Sequence, residues 1–265
     1  MVKIGDKTIT HIYQGSNLIT DDSSNTKDIK LGNKPVNFVY QGNNILYPTP
    51  IRDGLILWYD FKSMKNTDIT KNIAKDLSDN GNNGTLQNFN YTSDSGYNDG
   101  LKFDGVDDTV SLTNPLFNQG KENQNWTFSI SFKLIENNTS LEFLIRGINL
   151  GVGIRYMDNK NKILNYINNT EKAYLYSNEG VLQNKFYVVT CSYDYNTRTA
   201  KIYINDTLDS QKKLEDGIAP SGMGYNMSIG TRRNDYIYGM KLYNRTLTDQ
   251  EVKNNYQLEK ERWGL

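Results

Sequence analysis

The chain has 265 residues with 30 basic and 30 acidic side chains, so it carries no electrostatic footprint for nucleic acid. One cysteine excludes an internal disulfide, and a chain of this length can bury a core without one. No apolar stretch approaches the roughly 20 residues that a bilayer-spanning helix needs, so no membrane insertion is expected.

The first element is a repeat. Lys3-Ile-Gly-Asp-Lys-Thr-Ile-Thr-His-Ile-Tyr-Gln-Gly-Ser-Asn-Leu-Ile19 returns 27 residues later as Lys30-Leu-Gly-Asn-Lys-Pro-Val-Asn-Phe-Val-Tyr-Gln-Gly-Asn-Asn-Ile-Leu46. Each copy sets a Gly-Asp or Gly-Asn turn before an alternating strand, and a second turn before another short strand. Two hairpin-like units are predicted, at 3–19 and 30–46, joined by the polar loop Thr20–Thr26. Such units bury little alone and must lean on each other, on the next domain or on another chain, so residues 1–50 read as an attachment or oligomerisation module. The start Met1-Val-Lys-Ile-Gly-Asp lacks the basic-then-apolar order of a secretory leader, and no signal peptide is expected.

Tyr47-Pro-Thr-Pro-Ile-Arg-Asp-Gly54 breaks any ladder and marks the boundary of a second domain at 51–265. Strands are predicted at 55–61, 101–103, 109–112, 126–135, 141–145, 186–193, 200–204, 227–229 and 240–243. In Trp126-Thr-Phe-Ser-Ile-Ser-Phe-Lys-Leu134 the period of two puts Trp126, Phe128, Ile130, Phe132 and Leu134 on one face, as in a half-buried strand. Turn residues in Asp79-Asn-Gly-Asn-Asn-Gly84, Asp104-Gly105 and Asn205-Asp206 separate the strands. Cys191 falls among alternating apolar residues and reads as a small core side chain. Thr248-Asp-Gln-Glu251 has capping-box spacing and opens a short helix ending near Trp263, expected on the sandwich edge. The fold class is therefore all-β: a two-sheet antiparallel jelly-roll sandwich with a small N-terminal hairpin module and one C-terminal helix.

Four stretches resemble the laminin G-like branch of the concanavalin A-like lectin and glucanase superfamily. They are Gly54-Leu-Ile-Leu-Trp-Tyr-Asp-Phe61, Asp76-Leu-Ser-Asp-Asn-Gly-Asn-Asn-Gly-Thr-Leu86, Leu101-Lys-Phe-Asp-Gly-Val-Asp-Asp-Thr-Val110, and Ser228-Ile-Gly with Lys241-Leu-Tyr-Asn-Arg-Thr-Leu-Thr-Asp-Gln-Glu-Val252. The likeness spans residues 51–257. Tyr40-Gln-Gly-Asn-Asn-Ile-Leu-Tyr-Pro48 is similar to short modules of tail and baseplate proteins in bacteriophages of Gram-positive hosts. This second resemblance implies a virion component, made in the host cytoplasm and freed by lysis, with other virion subunits as partners. It also implies a host cell-wall glycan such as teichoic acid as ligand, and a homo-oligomer, a trimer being favoured by analogy with fibres.

The superfamily includes glucanases, whose retaining members need paired carboxylates about 5 Å apart. The strand pattern Glu-x-Asp-x-x-Glu is absent, Glu142 has no partner two residues along, and the only histidine, His11, sits in the repeat opposite Phe38 of the second copy. No catalysis is expected. Asp107 and Asp108 resemble the acidic pair of the calcium-binding pentraxins, with Asn234 and Asp235 approaching from a later hairpin, so Ca²⁺ is a candidate ligand there; the competing reading is a tight turn shaped by Asp104, Asp107 and Asp108. Tyr238-Gly239 stands where many laminin G-like domains carry Asp-Glu, a departure from the family pattern. For sugar stacking, Tyr91, Tyr97, Tyr225 and Tyr236 are the candidate aromatic faces in loops. The function expected is adhesion to a surface glycan, with a virion scaffold without a sugar site and a degenerate glycoside hydrolase as alternatives.

Overall fold

The computed structural model describes residues 2–4, 7–9, 12–14, 17–20, 30–31, 34–35, 39–41, 44–47, 50–62, 64–112, 116, 125–135, 142–147, 153–157, 160–168, 170–218, 227–230 and 234–264. Its first eight strands are β1 (Val2–Ile4), β2 (Lys7–Ile9), β3 (Ile12–Gln14), β4 (Asn17–Thr20), β5 (Lys30–Leu31), β6 (Lys34–Pro35), β7 (Val39–Gln41) and β8 (Asn44–Tyr47). They pair as four hairpins, two per repeat copy. The copies share their register: Tyr13 faces Leu18 and Gln14 faces Asn17, while Tyr40 faces Ile45 and Gln41 faces Asn44, each with a shift just before the tyrosine. The 27-residue sequence period is thus also a period of backbone pairing.

Sixteen further strands follow: β9 (Leu55–Asp60), β10 (Ile73–Ala74), β11 (Gly84–Gln87), β12 (Gly96–Tyr97), β13 (Leu101–Lys102), β14 (Thr109–Ser111), β15 (Trp126–Lys133), β16 (Glu142–Gly147), β17 (Gly153–Met157), β18 (Lys162–Tyr166), β19 (Tyr174–Tyr176), β20 (Phe186–Asp194), β21 (Thr199–Ile204), β22 (Thr207–Lys213), β23 (Met227–Gly230) and β24 (Tyr236–Tyr243). One sheet has the order β10-β11-β14-β23-β16-β17-β18-β19. The other runs β12-β13-β24-β15-β20-β21-β22, with β9 also on β24. Their inner faces share one core, to which Val110, Ile154, Ile163 and Ile229 contribute from the first sheet and Phe128, Ile130, Ile202 and Met240 from the second. Cys191 lies in this core, and burial pushes its thiol well above the ordinary range.

The structure corrects several sequence expectations. Strands β10 to β12, β17 to β19 and β22 were not foreseen. β24 begins at Tyr236, not at residue 240, which moves Tyr236 from a loop into the sheet. The polar face of β15 is not exposed either: Thr127, Ser129 and Ser131 are as buried as the apolar face opposite.

The cover is the helix α1 (Asp249–Trp263), which lies over the sheet's outer face and not on an edge. Its buried stripe is Val252, Asn255, Leu258, Glu259 and Arg262, at helical spacing but largely polar. Each polar member has a partner below. Asn255 Nδ2 donates to Tyr243 OH at 2.9 Å, Ser131 Oγ donates to Glu259 Oε2 at 2.9 Å, Lys241 pairs with Glu259, and Arg262 Nε reaches Asp60 at 2.9 Å.

The capping box is present as its spacing predicts. Thr248 N donates to Glu251 Oε2 at 2.9 Å, and Glu251 N donates to Thr248 Oγ1 at 3.3 Å. Arg245 grips the same carboxylate with two bonds, at 2.6 and 2.9 Å, and these hold the Glu251 carboxyl down at about 2 from an ordinary 4.5. A depressed carboxyl pKa contributes stability that is complete above 4.5 and fades as pH falls towards 2. Glu251→Gln is therefore expected to lower stability at pH 7, with the gap to the wild type closing as pH is lowered through that window. Urea denaturation at a series of pH values checks this; a gap that stays constant with pH would refute it.

Candidate functional site

A change of strand parity builds an aromatic row on the outer face. Along β24, Leu242 and Met240 point into the core, yet so does Ile237, because a bulge against Ser131 and Phe132 of β15 inserts one extra residue. Tyr238 is that residue, so Tyr236 and Tyr238 both turn outward, with near-parallel rings 6.0 Å apart. Gly239 permits the bulge, since a Cβ there would lie 2.8 Å from the Tyr59 carbonyl oxygen. Gly100, at φ +134°, leaves room for the Tyr238 ring, which a Cβ would meet at 2.9 Å.

The C-terminal turn of α1 extends the row. Trp263 places its ring 4.6 Å from that of Tyr238, and the Phe186 ring lies 5.1 Å from it. A lysine closes each end: the Lys133 ammonium lies 4.8 Å from the Tyr236 ring centre and the Lys62 ammonium 4.8 Å from that of Trp263. Asn98 Nδ2 donates to Tyr236 OH at 3.2 Å. Tyr236 and Trp263 are half-buried while Tyr238 is nearly covered, and burial pushes its phenol up to about 12. Tyr236 and Trp263 thus offer partly exposed ring surface beside amide and ammonium donors, packed on the covered Tyr238. That is the chemistry a pyranose requires, with one apolar side and a periphery of hydroxyls.

The acidic hairpin lies beyond the β12–β13 turn. Asp104, Asp107 and Asp108 bring carboxylate oxygens within 4.8 Å of one another. Most of that capacity serves the turn: Asp108, buried, accepts from Ser95 Oγ and from Asp104 N at 2.9 Å, and Asp104 Oδ1 accepts from Val106 N at 2.8 Å. Burial raises the Asp108 carboxyl above its usual range, with the Asp104 and Asp107 charges acting the same way against those hydrogen bonds. Asp235 does not join the group. The later hairpin approaches through its backbone, Phe103 N donating to Asp235 O at 3.0 Å, but the Asp235 carboxylate turns to Ile135 N at 2.8 Å. Asn234, half-buried, precedes it. A calcium ion needs six to eight oxygens. Among the described residues, Asp107 is the member of the cluster whose carboxylate has no hydrogen bond, so the group fits a turn better than a cation site.

Of the four tyrosines, Tyr236 falls in the row and Tyr91 does not. Tyr91 is half-buried at φ 58°, with the Lys71 ammonium 4.5 Å from its ring centre. Tyr97 is a correction: it is 6% exposed, its hydroxyl donates to the Lys71 carbonyl at 2.8 Å, and it cannot offer a face. Tyr225 and His11 lie outside the described residues. Tyr238, Trp263 and Phe186 were missed. The Tyr-x-Tyr spacing of 236 and 238 was a visible signal, whereas Trp263 joins them only through the docking of α1.

Residues 104–253, over half of the chain, match a laminin G family model of the concanavalin A-like lectin/glucanases superfamily. A stretch of 164 residues is 28% identical to the non-toxic nonhemagglutinin type A of Clostridium botulinum (strain Kyoto / Type A2), covering 60% of this chain and 14% of that protein. Among solved structures, the botulinum neurotoxin serotype D binding domain is similar with a TM-score of 0.58 and 19% identity, covering 79% of this chain and 52% of that one. Trypanosoma rangeli sialidase in complex with sialic acid gives a TM-score of 0.58 at 14% identity, over 86% of this chain and 36% of that one. At these identities the two structures share a fold with the chain, and the chain spans only a part of each relative. The family match starts at residue 104, but β9 pairs along β24 and so belongs to the same sheet. The chain belongs to the concanavalin A-like lectin/glucanases superfamily.

Proposed function

We propose that the sandwich is a carbohydrate-binding module that holds a surface glycan without turning it over, using the exposed parts of Tyr236 and Trp263, which Tyr238 supports from below. The observation that carries this reading is the row itself: Tyr236 and Trp263, two partly exposed rings that pack on the covered ring of Tyr238, with donors at the rim. The lectin-like family supports it, as does the likeness in fold to a botulinum neurotoxin binding domain. In this proposal the chain is a virion tail or fibre protein: the repeats of residues 1–50 join it to other virion subunits as a homo-oligomer, and the sandwich meets the host cell wall. That placement draws on the resemblance of Tyr40–Pro48 to phage modules. Weak single sites then act together through multivalency.

The test is binding of the fluorescently labelled full chain to Gram-positive cells and to their isolated wall polymers, with calcium and with a chelator. Tyr236→Ala and Trp263→Ala are each expected to weaken binding about tenfold, since a stacked aromatic contributes about 1–3 kcal/mol at a binding surface. Both rings are half-buried, so thermal unfolding run alongside separates lost binding from lost fold. Unchanged binding by both variants would sink the row as the site, and a calcium requirement would return Asp107 and Asp108 to a cation role.

A second reading, a scaffold with no sugar site, draws on two loop tips that expose apolar side chains, Ile69 at 100% and Val106 at 70%. In that case Ile69→Asp with Val106→Asp would disrupt subunit assembly, and no glycan would bind.

A further inference from the structure

We infer that the Asn80-Gly81 step is a self-modification site: it deamidates in the folded chain, and the carboxylate that forms unlatches the edge of β9 that β24 does not cover. This is independent of the glycan-binding reading. Ring closure to a succinimide needs a side-chain amide followed by an unhindered peptide nitrogen, and glycine hinders it least. Two Asn-Gly steps lie in one loop, Asn80-Gly81 and Asn83-Gly84, and the structure separates them. Gly81 is exposed at φ +74°, a Cβ there would meet nothing within 4 Å, and among the described residues its N–H makes no hydrogen bond. Gly84 is buried at the start of β11, where a Cβ would lie 2.8 Å from the Tyr59 hydroxyl and 2.9 Å from Val110, and Asn83 Oδ1 accepts from Asp76 N at 2.9 Å. Reaction at Asn83 must first open the sheet, whereas reaction at Asn80 needs only the loop to open.

The Gly81 nitrogen gives its proton to solvent and attacks Asn80 Cγ; the new C–N bond forms as the Cγ–Nδ2 bond breaks, and Nδ2 leaves as ammonia. Water then opens the ring at either carbonyl and leaves aspartate or isoaspartate at position 80, with no change of oxidation state. The product undoes a contact of the loop. Asn80 Nδ2 donates to Leu55 O, on the outer edge of β9, at 3.0 Å and to Ser78 Oγ at 2.9 Å. The Ser78 hydroxyl proton is committed to Asp76 Oδ2 at 2.8 Å, so Ser78 Oγ meets position 80 as an acceptor. A carboxylate has no proton to give. It would set an oxygen against Leu55 O and Ser78 Oγ, with Asp76 and Asp79 of the same loop adding like charge, and the latch opens.

The experiment ages the full chain at mildly alkaline pH beside a synthetic peptide of residues 76–102, and follows both sites by fragment-ion mass spectrometry and isoaspartyl methyltransferase labelling. In the peptide the two steps are expected to react at similar rates, and in the folded chain Asn80 is expected to convert at least about tenfold faster than Asn83. A smaller ratio, or an Asn80 still intact when the peptide has reacted completely, overturns the site. The consequence is read on Asn80→Asp and on Asn80→Ala, which loses the donors without gaining the charge. Asn80→Asp is expected to unfold at lower urea than Asn80→Ala, and to scatter light on mild heating where the wild type stays clear. The acidic fraction of the aged chain, separated by ion exchange, gives the same readout without a variant. If the two variants unfold alike, or if Asn80→Asp and the acidic fraction stay as clear as the wild type, the carboxylate does not release the edge and the inference is overturned.

Discussion

Glu259→Gln is expected to destabilise the sandwich by about 3–5 kcal/mol, the usual loss when one partner is taken from a buried ion pair. Lys241 is 2% exposed and Glu259 7%, so no water reaches the ammonium once its partner is neutral. The carboxylate also collects Ser131 Oγ at 2.9 Å and Trp263 Nε1 at 3.2 Å, which ties the sheet, the helix and the end of the aromatic row to one group. Because the larger part of the loss is the stranded charge, removing the lysine as well should restore most of it. Lys241→Met with Glu259→Gln keeps an amide oxygen for Ser131 or Trp263 and buries no charge. The double variant is expected to be more stable than Glu259→Gln alone, with a coupling of about 2 kcal/mol or more. Urea denaturation of the wild type, the two single variants and the double variant measures the cycle. Losses that simply add would show that the pair is solvated and that α1 is held by its apolar contacts.

Much of this architecture could be read from the chain, and the unread parts share a cause. The inward face of β15 follows from alternation alone, and the start of α1 from Thr248 and Glu251 three residues apart. Local spacing could not say that Ser129 and Ser131 would be buried, since their partners, Thr190 and Glu259, lie 61 and 128 positions away. The same holds for Tyr236, which a polar neighbourhood marked as a loop until the bulge at Tyr238 and the strand pairing of Lys133 placed it in the sheet. Asp107 and Asp108 were legible as a cluster because a tight hairpin gathers neighbours, and Asp104 with them. Asp235 was not legible, because a carboxylate turns to whichever donor the tertiary fold presents, here Ile135 N.

Asp76→Ala is expected to cost about 3–5 kcal/mol as well, although Asp76 lies outside the aromatic row, because several buried donors would lose their acceptor at about 1–3 kcal/mol each before relaxation. Its carboxylate accepts from Trp58 N at 3.0 Å, Ser78 N at 2.9 Å, Ser78 Oγ at 2.8 Å and Asn82 N at 2.9 Å. One edge of β9 pairs with β24, and the other would be open but for the loop that follows Asp76. That loop meets the open edge group by group: Leu77 N donates to Trp58 O, Asn80 Nδ2 to Leu55 O and Asn82 Nδ2 to Ile56 O. The turn-forming residues from 76 to 84 thus act as a side-chain surrogate for a missing strand, a device that denies the edge to other chains. Asp76→Ala should therefore lose stability in urea and gain scattering on mild heating, because the released edge of β9 is free to pair between molecules. Ser78→Ala, which removes one of the four bonds, is expected to cost about 1 kcal/mol and to leave scattering unchanged. If Asp76→Ala behaves like Ser78→Ala, water has replaced the carboxylate, and the edge is guarded by Asn80 and Asn82 instead.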